Sequence, residues 1–335
     1  MLEAPDLSLS QLAEVVQRDY GLVVQQIVFL PLGADVNTAV FRVAAGEKDY
    51  FLKLRRGRFD ETSVTLPAFL HQHGNAHLIP ILATTAGNLW THFEQYTVVL
   101  YPFVEGRDGF DVKLSPAQWR EFGTAFKHIH TADVPASMLQ RIPVESYSPA
   151  GRDAVMATLA RLDAIQTNDA ITQDLIALLR EKRVVITDLV GRASRLAAAL
   201  QLQPPAFVVC HADIHAGNIL VDDHDHLYIV DWDNPIRAPK ERDLMFFGGG
   251  QGFVGYSAEE EVALFFAGYG AAPINQTALA YYRYERIVQD IFSFCEALLS
   301  SEGEGEDRRQ SLKWLKGNFD AGGPIDVAYA ADRSA

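Results

Sequence analysis

Apolar residues at Leu9, Leu12, Val15 and Val16 fall on one helix face, and beyond residue 22 the period shortens to that of strands. VVQQIVFLPLG (23–33), TAVFRVAAG (38–46) and DYFLKLRRG (49–57) are apolar or alternating runs punctuated by glycine. Their short connections predict an antiparallel meander. A helical patch near 67–73 precedes two further strand candidates, IPILATTAG and NLWTHFEQYTVVLYPFV, and the glycine-rich PFVEGRDGFD then breaks the pattern. Beyond it, SPAQWREFGTAFKHIHTA carries Trp119, Phe122, Phe126 and Ile129 on one helix face, with Ser115 and Pro116 as cap and first turn. Long helical patterns fill 151–200, 258–270 and 275–300, and between them AFVVCH, NILVDD and HLYIVDW form a block of short strands. The pattern predicts an α+β chain in two lobes: strand-rich over 1–104, and helix-rich with a small inserted sheet over 105–335. SEGEGEDRRQ (301–310) is expected to be a solvated connection between helices.

Composition narrows the function classes. At 335 residues and 48% hydrophobic content the chain can bury two cores, and it holds no apolar run of the roughly 18–20 residues that span a bilayer. The N-terminal stretch has no basic segment before an apolar core, so no secretory signal is expected. Cys210 and Cys295 are too few for a disulfide framework, which fits a reduced cytoplasmic setting. A formal net charge of −14 repels phosphate backbones and disfavours nucleic acid as a partner. It suits small cationic molecules, although solubility alone also accounts for an acidic surface. Neither a membrane partner nor an assembly beyond a monomer or weak dimer is expected.

The chemistry is concentrated in CHADIHAGNILV (210–221) and VDWDNP (230–235). Zinc binding by His211 and His215 would need a third strong ligand, and the helical histidine pair with an intervening glutamate is absent. The spacing His211–Asp213–Asn218–Asp231 fits phosphoryl transfer to a hydroxyl. One carboxylate accepts the hydroxyl proton, while an amide oxygen and another carboxylate hold Mg²⁺ against the nucleotide phosphates. The strand-rich lobe then supplies the nucleotide cradle. Lys53, a lone lysine between Leu52 and Leu54, faces away from the apolar side of its strand and is the candidate phosphate contact. Its carboxylate partner is Asp60, Glu61 or a distant residue, since no other acid lies between Lys53 and Glu94; Glu61 is taken as the candidate, with Pro67 counting against an unbroken helix from that point. Gly33, Asn37 and Thr38 in the turn LGADVNTAVF are candidates to cover the phosphates. At Pro102–Phe103–Val104 exposed backbone would read an adenine edge; Pro102 has no N–H, so the donor is Phe103 or Val104.

These residues resemble the aminoglycoside phosphotransferase family, antibiotic kinases of protein-kinase-like fold that also include choline, homoserine and methylthioribose kinases. CHADIHAGNIL with IVDWD looks like the family signature. Outside that core, LGADVNTAVFRV, YSP (147–149), APKERDLMFFGGG and YYRYERIVQDI are similar to the spectinomycin-phosphorylating branch. The resemblance implies the two-lobed kinase-like fold, Asp213 as catalytic base, Asn218 and Asp231 on magnesium, and Lys53 on the ATP phosphates. It also implies a cationic aminocyclitol as acceptor, for which Asp233, Glu241 and Asp243, and Glu285 and Asp290 on one later helix, are candidate contacts. For Glu241–Arg242–Asp243 an ion-pair network bracing the metal loop is an equal alternative. Two other functions stand beside this one. A choline-type metabolic kinase would need an aromatic cage, for which Trp232, Phe246, Phe247, Tyr281, Tyr282 and Tyr284 are available. A kinase-shaped binding protein without chemistry would be expected to have lost one of Lys53, Asp213, Asn218 or Asp231.

Overall fold

The computed structural model of the protein describes residues 2–33, 35, 37–249 and 252–333. The chain forms two compact units, one of residues 1–112 with 218–235, the other of 113–217 with 236–335.

In the first unit, helix α1 (Leu9–Tyr20) starts at Ser8, whose side chain accepts from the N–H of Gln11, and ends at Gly21 in the left-handed region. Strands β1 (Val24–Leu30), β2 (Thr38–Ala45) and β3 (Lys48–Arg56) form the expected meander. After helix α2 (Thr62–Gln72), the hairpin β4 (Thr91–Phe93) and β5 (Tyr96–Pro102) completes an antiparallel sheet of order β1-β2-β3-β5-β4. Strict alternation on β3 sends Leu52 and Leu54 into a core with Phe41, Val43, Val98 and Leu100, over which α1 lays Leu12 and Val16. Lys53 is thereby committed to the opposite face. IPILATTAG is not a strand: Pro80 removes a ladder donor, and the segment is held to β5 through Leu82 N–H donating to Leu100 C=O at 2.8 Å. Helix α2 runs through Pro67, which removes one backbone donor at its middle.

A short strand β6 (Gly106–Asp108) pairs with β8 (Ile219–Asp222), which pairs with β9 (Leu227–Ile229). The first unit therefore extends past 104 to 112 and takes in 218–235. The expected block of three short strands is divided, because its first member, β7 (Phe207–Cys210), pairs in the second unit with β10 (Ile236–Pro239).

The rest of the second unit is helical: α3 (Pro116–His130), α4 (Ala136–Leu139), α5 (Ala150–Arg161), α6 (Ala170–Leu202), α7 (Glu241–Leu244), α8 (Ala258–Tyr269), α9 (Gln276–Leu299), α10 (Glu306–Gly317) and α11 (Pro324–Asp332). Ser115 and Gln118 form the capping box of α3, with Pro116 in its first turn. α9 packs against α6, α5 and α11.

α3 and α8 cross at two glycines. A Cβ on Gly268 would lie 1.8 Å from the carbonyl oxygen of Arg120, and one on Gly123 would lie 2.1 Å from that of Phe265. Backbone cannot yield to either, so Gly268→Ala must push the helices apart, at a cost of about 2–3 kcal/mol. Gly191→Ala, exposed on α6 with nothing within 4 Å of the new Cβ, should instead gain up to about 1 kcal/mol. Denaturation midpoints of the two variants check the contrast.

Candidate active site

In the first unit the open face of β3 presents Lys53 and, two residues on, Arg55. Lys53 Nζ lies 2.7 Å from Asp231 Oδ1 and 2.6 Å from Asp233 Oδ1, and Arg55 Nη1 lies 2.8 Å from Asp233 Oδ2. Burial alone would lower the lysine pKa, but the two carboxylates outweigh it and hold Lys53 charged. Asp233 is pushed upward by burial, against the pull of Lys53 and Arg55. Asp231 follows β9 with φ +63°, a left-handed conformation that few residues other than glycine, asparagine and aspartate accept. The backbone N–H of Val230 donates to the Asn218 carbonyl at 3.0 Å, which sets Asn218 beside the Asp231 turn.

The structure redistributes several expected roles in this unit. Glu61 is an exposed residue at the N-cap of α2, where its carbonyl accepts from Thr65. The carboxylates against Lys53 come from the turn after β9. After Gly33 (φ +84°), Asp35 accepts from the Asn37 N–H through Oδ1 at 2.9 Å and from the Thr38 hydroxyl through Oδ2 at 2.7 Å. Past Pro102, the Phe103 N–H is committed to the Asp49 carbonyl at 3.0 Å.

In the second unit the loop after β7 carries Asp213. Its Oδ1 lies 2.5 Å from Arg286 Nη1, and Arg286 Nε lies 3.0 Å from Asp290 Oδ1, both on α9. Burial raises the Asp213 pKa, but Arg286, then His215 and His211, lower it further, and the net direction is down. The rings of His211 and His215 serve the loop itself, their Nδ1 atoms accepting from the N–H groups of Asp213 (3.3 Å) and Gly217 (3.1 Å).

Ala212, just before Asp213, sits at φ +72°, where a Cβ is strained by about 1–2 kcal/mol. Asp243 holds that turn. Its Oδ1 accepts from the Ala212 N–H at 2.6 Å, and its Oδ2 accepts from the His211 N–H at 3.0 Å and from His130 Nε2 at 2.9 Å. Asp243 and Glu241 have no exposed surface; Glu241 accepts from Lys240 Nζ and from the Asn275 N–H, both at 2.9 Å. Glu285 is buried against Arg152 at 2.6 Å, and Arg152 in turn donates to the Tyr147 carbonyl. These three acids, expected among the substrate contacts, thus brace the lobe, because a carboxylate spent on buried partners has no face to offer a solute. Arg286, Arg55 and His130 were not singled out from sequence; only the position of Arg286 within YYRYERIVQDI marked it.

An antiparallel five-stranded sheet unit and a helix-rich unit with its own two-stranded sheet make up the architecture of a kinase-like phosphotransferase. The model of the phosphotransferase enzyme family matches residues 28–247, and the chain belongs to that family. It is an ATP-dependent phosphotransferase acting on hydroxyl groups. Among solved structures it is similar to spectinomycin phosphotransferase, APH(9)-Ia, in complex with ADP and spectinomycin. The two are 33% identical with a TM-score of 0.89, over 98% of this chain and 100% of that one. The AMP-bound complex of spectinomycin phosphotransferase matches at 32% identity and a TM-score of 0.86, covering 97% of this chain and 99% of that one. Choline kinase LicA from Streptococcus pneumoniae, at 12% identity and a TM-score of 0.54 over 96% and 98% of the two chains, shares the fold alone. Among curated proteins, none matches this sequence.

Asp243→Ala removes the acceptor for three buried donors at once. It should cost about 3–5 kcal/mol, as breaking a buried charged network does. Urea unfolding of the variant measures the loss.

Proposed function

We propose that this protein phosphorylates a hydroxyl of a cationic aminocyclitol antibiotic, spectinomycin first among them, and so confers resistance. The observation that supports this reading most is the end-to-end similarity to spectinomycin phosphotransferase, shared by a chain that keeps Lys53, Asp213, Asn218 and Asp231. The acidic surface agrees, since net charge raises the local concentration of a dication. Antibiotic modification also suits the chemistry: a phosphoryl group adds negative charge to a drug that binds RNA.

In this reading Asp213 accepts the proton of the acceptor hydroxyl as its oxygen bonds to the γ-phosphorus and the bond to the ADP oxygen breaks. Arg286 keeps Asp213 ionised and in place, and Lys53 contacts the nucleotide phosphates. Asn218 and Asp231 carry hard oxygen donors on backbone segments joined by the Val230 N–H to Asn218 C=O bond, and Asp231 already faces a cation, the Lys53 ammonium; they would hold Mg²⁺. The metal would supply charge neutralisation at the phosphates. Gly33, Asn37 and Thr38 would cover the phosphates, and Val104 would read the adenine edge. Acids that keep accessible surface, Asp290 among them, are the better contacts for the substrate's ammonium groups than Glu241, Asp243 or Glu285.

The choline-kinase alternative is weakened by packing. Tyr281, Tyr282, Tyr284 and Phe246 are at most 1% exposed and belong to the core, so they form no open cage for a quaternary ammonium.

An ADP-release assay with spectinomycin, kanamycin, streptomycin, choline, homoserine and methylthioribose tests the reading. Spectinomycin should stimulate turnover most, and faster turnover of choline or methylthioribose than of every aminocyclitol would overturn it. Asp213→Asn should lower kcat by about 10²–10⁴ while ATP affinity holds. The base works deprotonated, and Arg286 lowers its pKa. Arg286→Met should therefore move the acid limb of the kcat/KM profile to higher pH, which a pH series on the two proteins reads directly.

A further inference from the structure

A lysine that must meet phosphates in one geometry needs a carboxylate to fix its long side chain, and α2, the helix following β3, supplies none. Its sequence TSVTLPAFLHQ contains no acid. The recess beside Lys53 is lined from that side by Phe59, Ser63 and Val64, and from β5 by Val99 and Tyr101. The carboxylates at Lys53 are those of Asp231 and Asp233, and they differ. The side chain of Asp231 is 44% exposed and, in the reading above, belongs to the metal; that of Asp233 is 18% exposed. Asp233 also divides its two oxygens, Oδ1 to Lys53 and Oδ2 to Arg55, so it joins two cations of β3 that alternation places on one face. When Asp231 serves the metal, Asp233 is the carboxylate that remains.

We infer that Asp233 is the positioning residue for Lys53, holding its ammonium toward the nucleotide phosphates, with Arg55 fixing Asp233 in turn. The inference rests on the reading of Lys53 as the phosphate contact. It removes Asp233 from the substrate contacts and fills the place for which Glu61 was the candidate. Asp233 acts through Lys53 and touches neither the hydroxyl nor the reacting phosphorus.

A double-mutant cycle in the full chain tests it, with Asp233→Asn, Lys53→Met and the pair. The readout is kcat/KM for Mg·ATP, taken with the best acceptor from the screen and again in the slow transfer to water. Asp233→Asn should lower it by roughly ten- to a hundredfold, the loss expected when a hydrogen bond to a charged group is removed. In the Lys53→Met background it should cost nothing further. KM for the acceptor and the Mg²⁺ concentration for half-maximal rate should stay unchanged, and Asp233→Glu should recover part of the rate. Arg55→Met, at a more exposed site, gives the second handle: a smaller loss, also absent without Lys53. Full additivity of Asp233→Asn with Lys53→Met would overturn the assignment, as would a raised acceptor KM with nucleotide kinetics intact. The water reaction separates the two readings. If spectinomycin is not the acceptor, the cycle still reports on Asp233; if the cycle is additive, the acceptor screen still stands.

Discussion

A cation placed on the open face of a β-sheet must be neutralised nearby, and Lys53 meets that requirement with Asp231 and Asp233. Much of the first unit follows. The two aspartates lie 178 and 180 residues along the chain from Lys53, so the segment 218–235 has to return and join the unit that begins the sequence. The pairing of β6 with β8 provides the frame for that return, and the left-handed turn at Asp231 aims its carboxylate back at β3. The apolar side of the same strand makes the arrangement obligatory: with Leu52 and Leu54 sealed in the core, Lys53 has one face to occupy.

The second unit solves a related problem with a buried carboxylate. Ala212 and His211 turn sharply to present Asp213, and their N–H groups would be stranded without Asp243. Asp243 is in turn held by His130, whose other ring nitrogen meets the Tyr269 hydroxyl at 2.8 Å. Asp213 itself is clamped by Arg286, and Arg286 by Asp290. Acids that at first sight suggest contacts for a cationic substrate are thus largely occupied in holding loops and helices.

Local features were legible from sequence, and long-range pairings were not. The alternation in YFLKLR placed Lys53 correctly on the open face, and Ser115-Pro116 marked the start of α3, because each depends on neighbours a few residues away. The spacing through CHADIHAGNIL pointed to the phosphotransferase family for a similar reason: the chemistry fixes both residue types and intervals. Glu61 was the candidate partner of Lys53, with a distant residue left open, and the partners are found at the far end of the unit, since ion pairing has no sequence period. IPILATTAG has strand composition, but Pro80 and a single bond from Leu82 leave it as an extended edge. A bracing role for Glu241 and Asp243 was one of two equal readings, whereas the burial of Glu285 was hidden, because an acid gives no sign of whether its partner is solvent or an arginine on another helix.

The decisive question is where the phosphoryl group goes. Mass spectrometry and ³¹P NMR of the product, after incubating the protein with Mg·ATP and an equimolar mixture of spectinomycin and choline, address this directly. Spectinomycin should carry a single ester phosphate, formed at least about a hundredfold more slowly by the Asp213→Asn protein. Phosphocholine as the main product, or phosphorylated spectinomycin formed equally well without the Asp213 carboxylate, would contradict the proposed function.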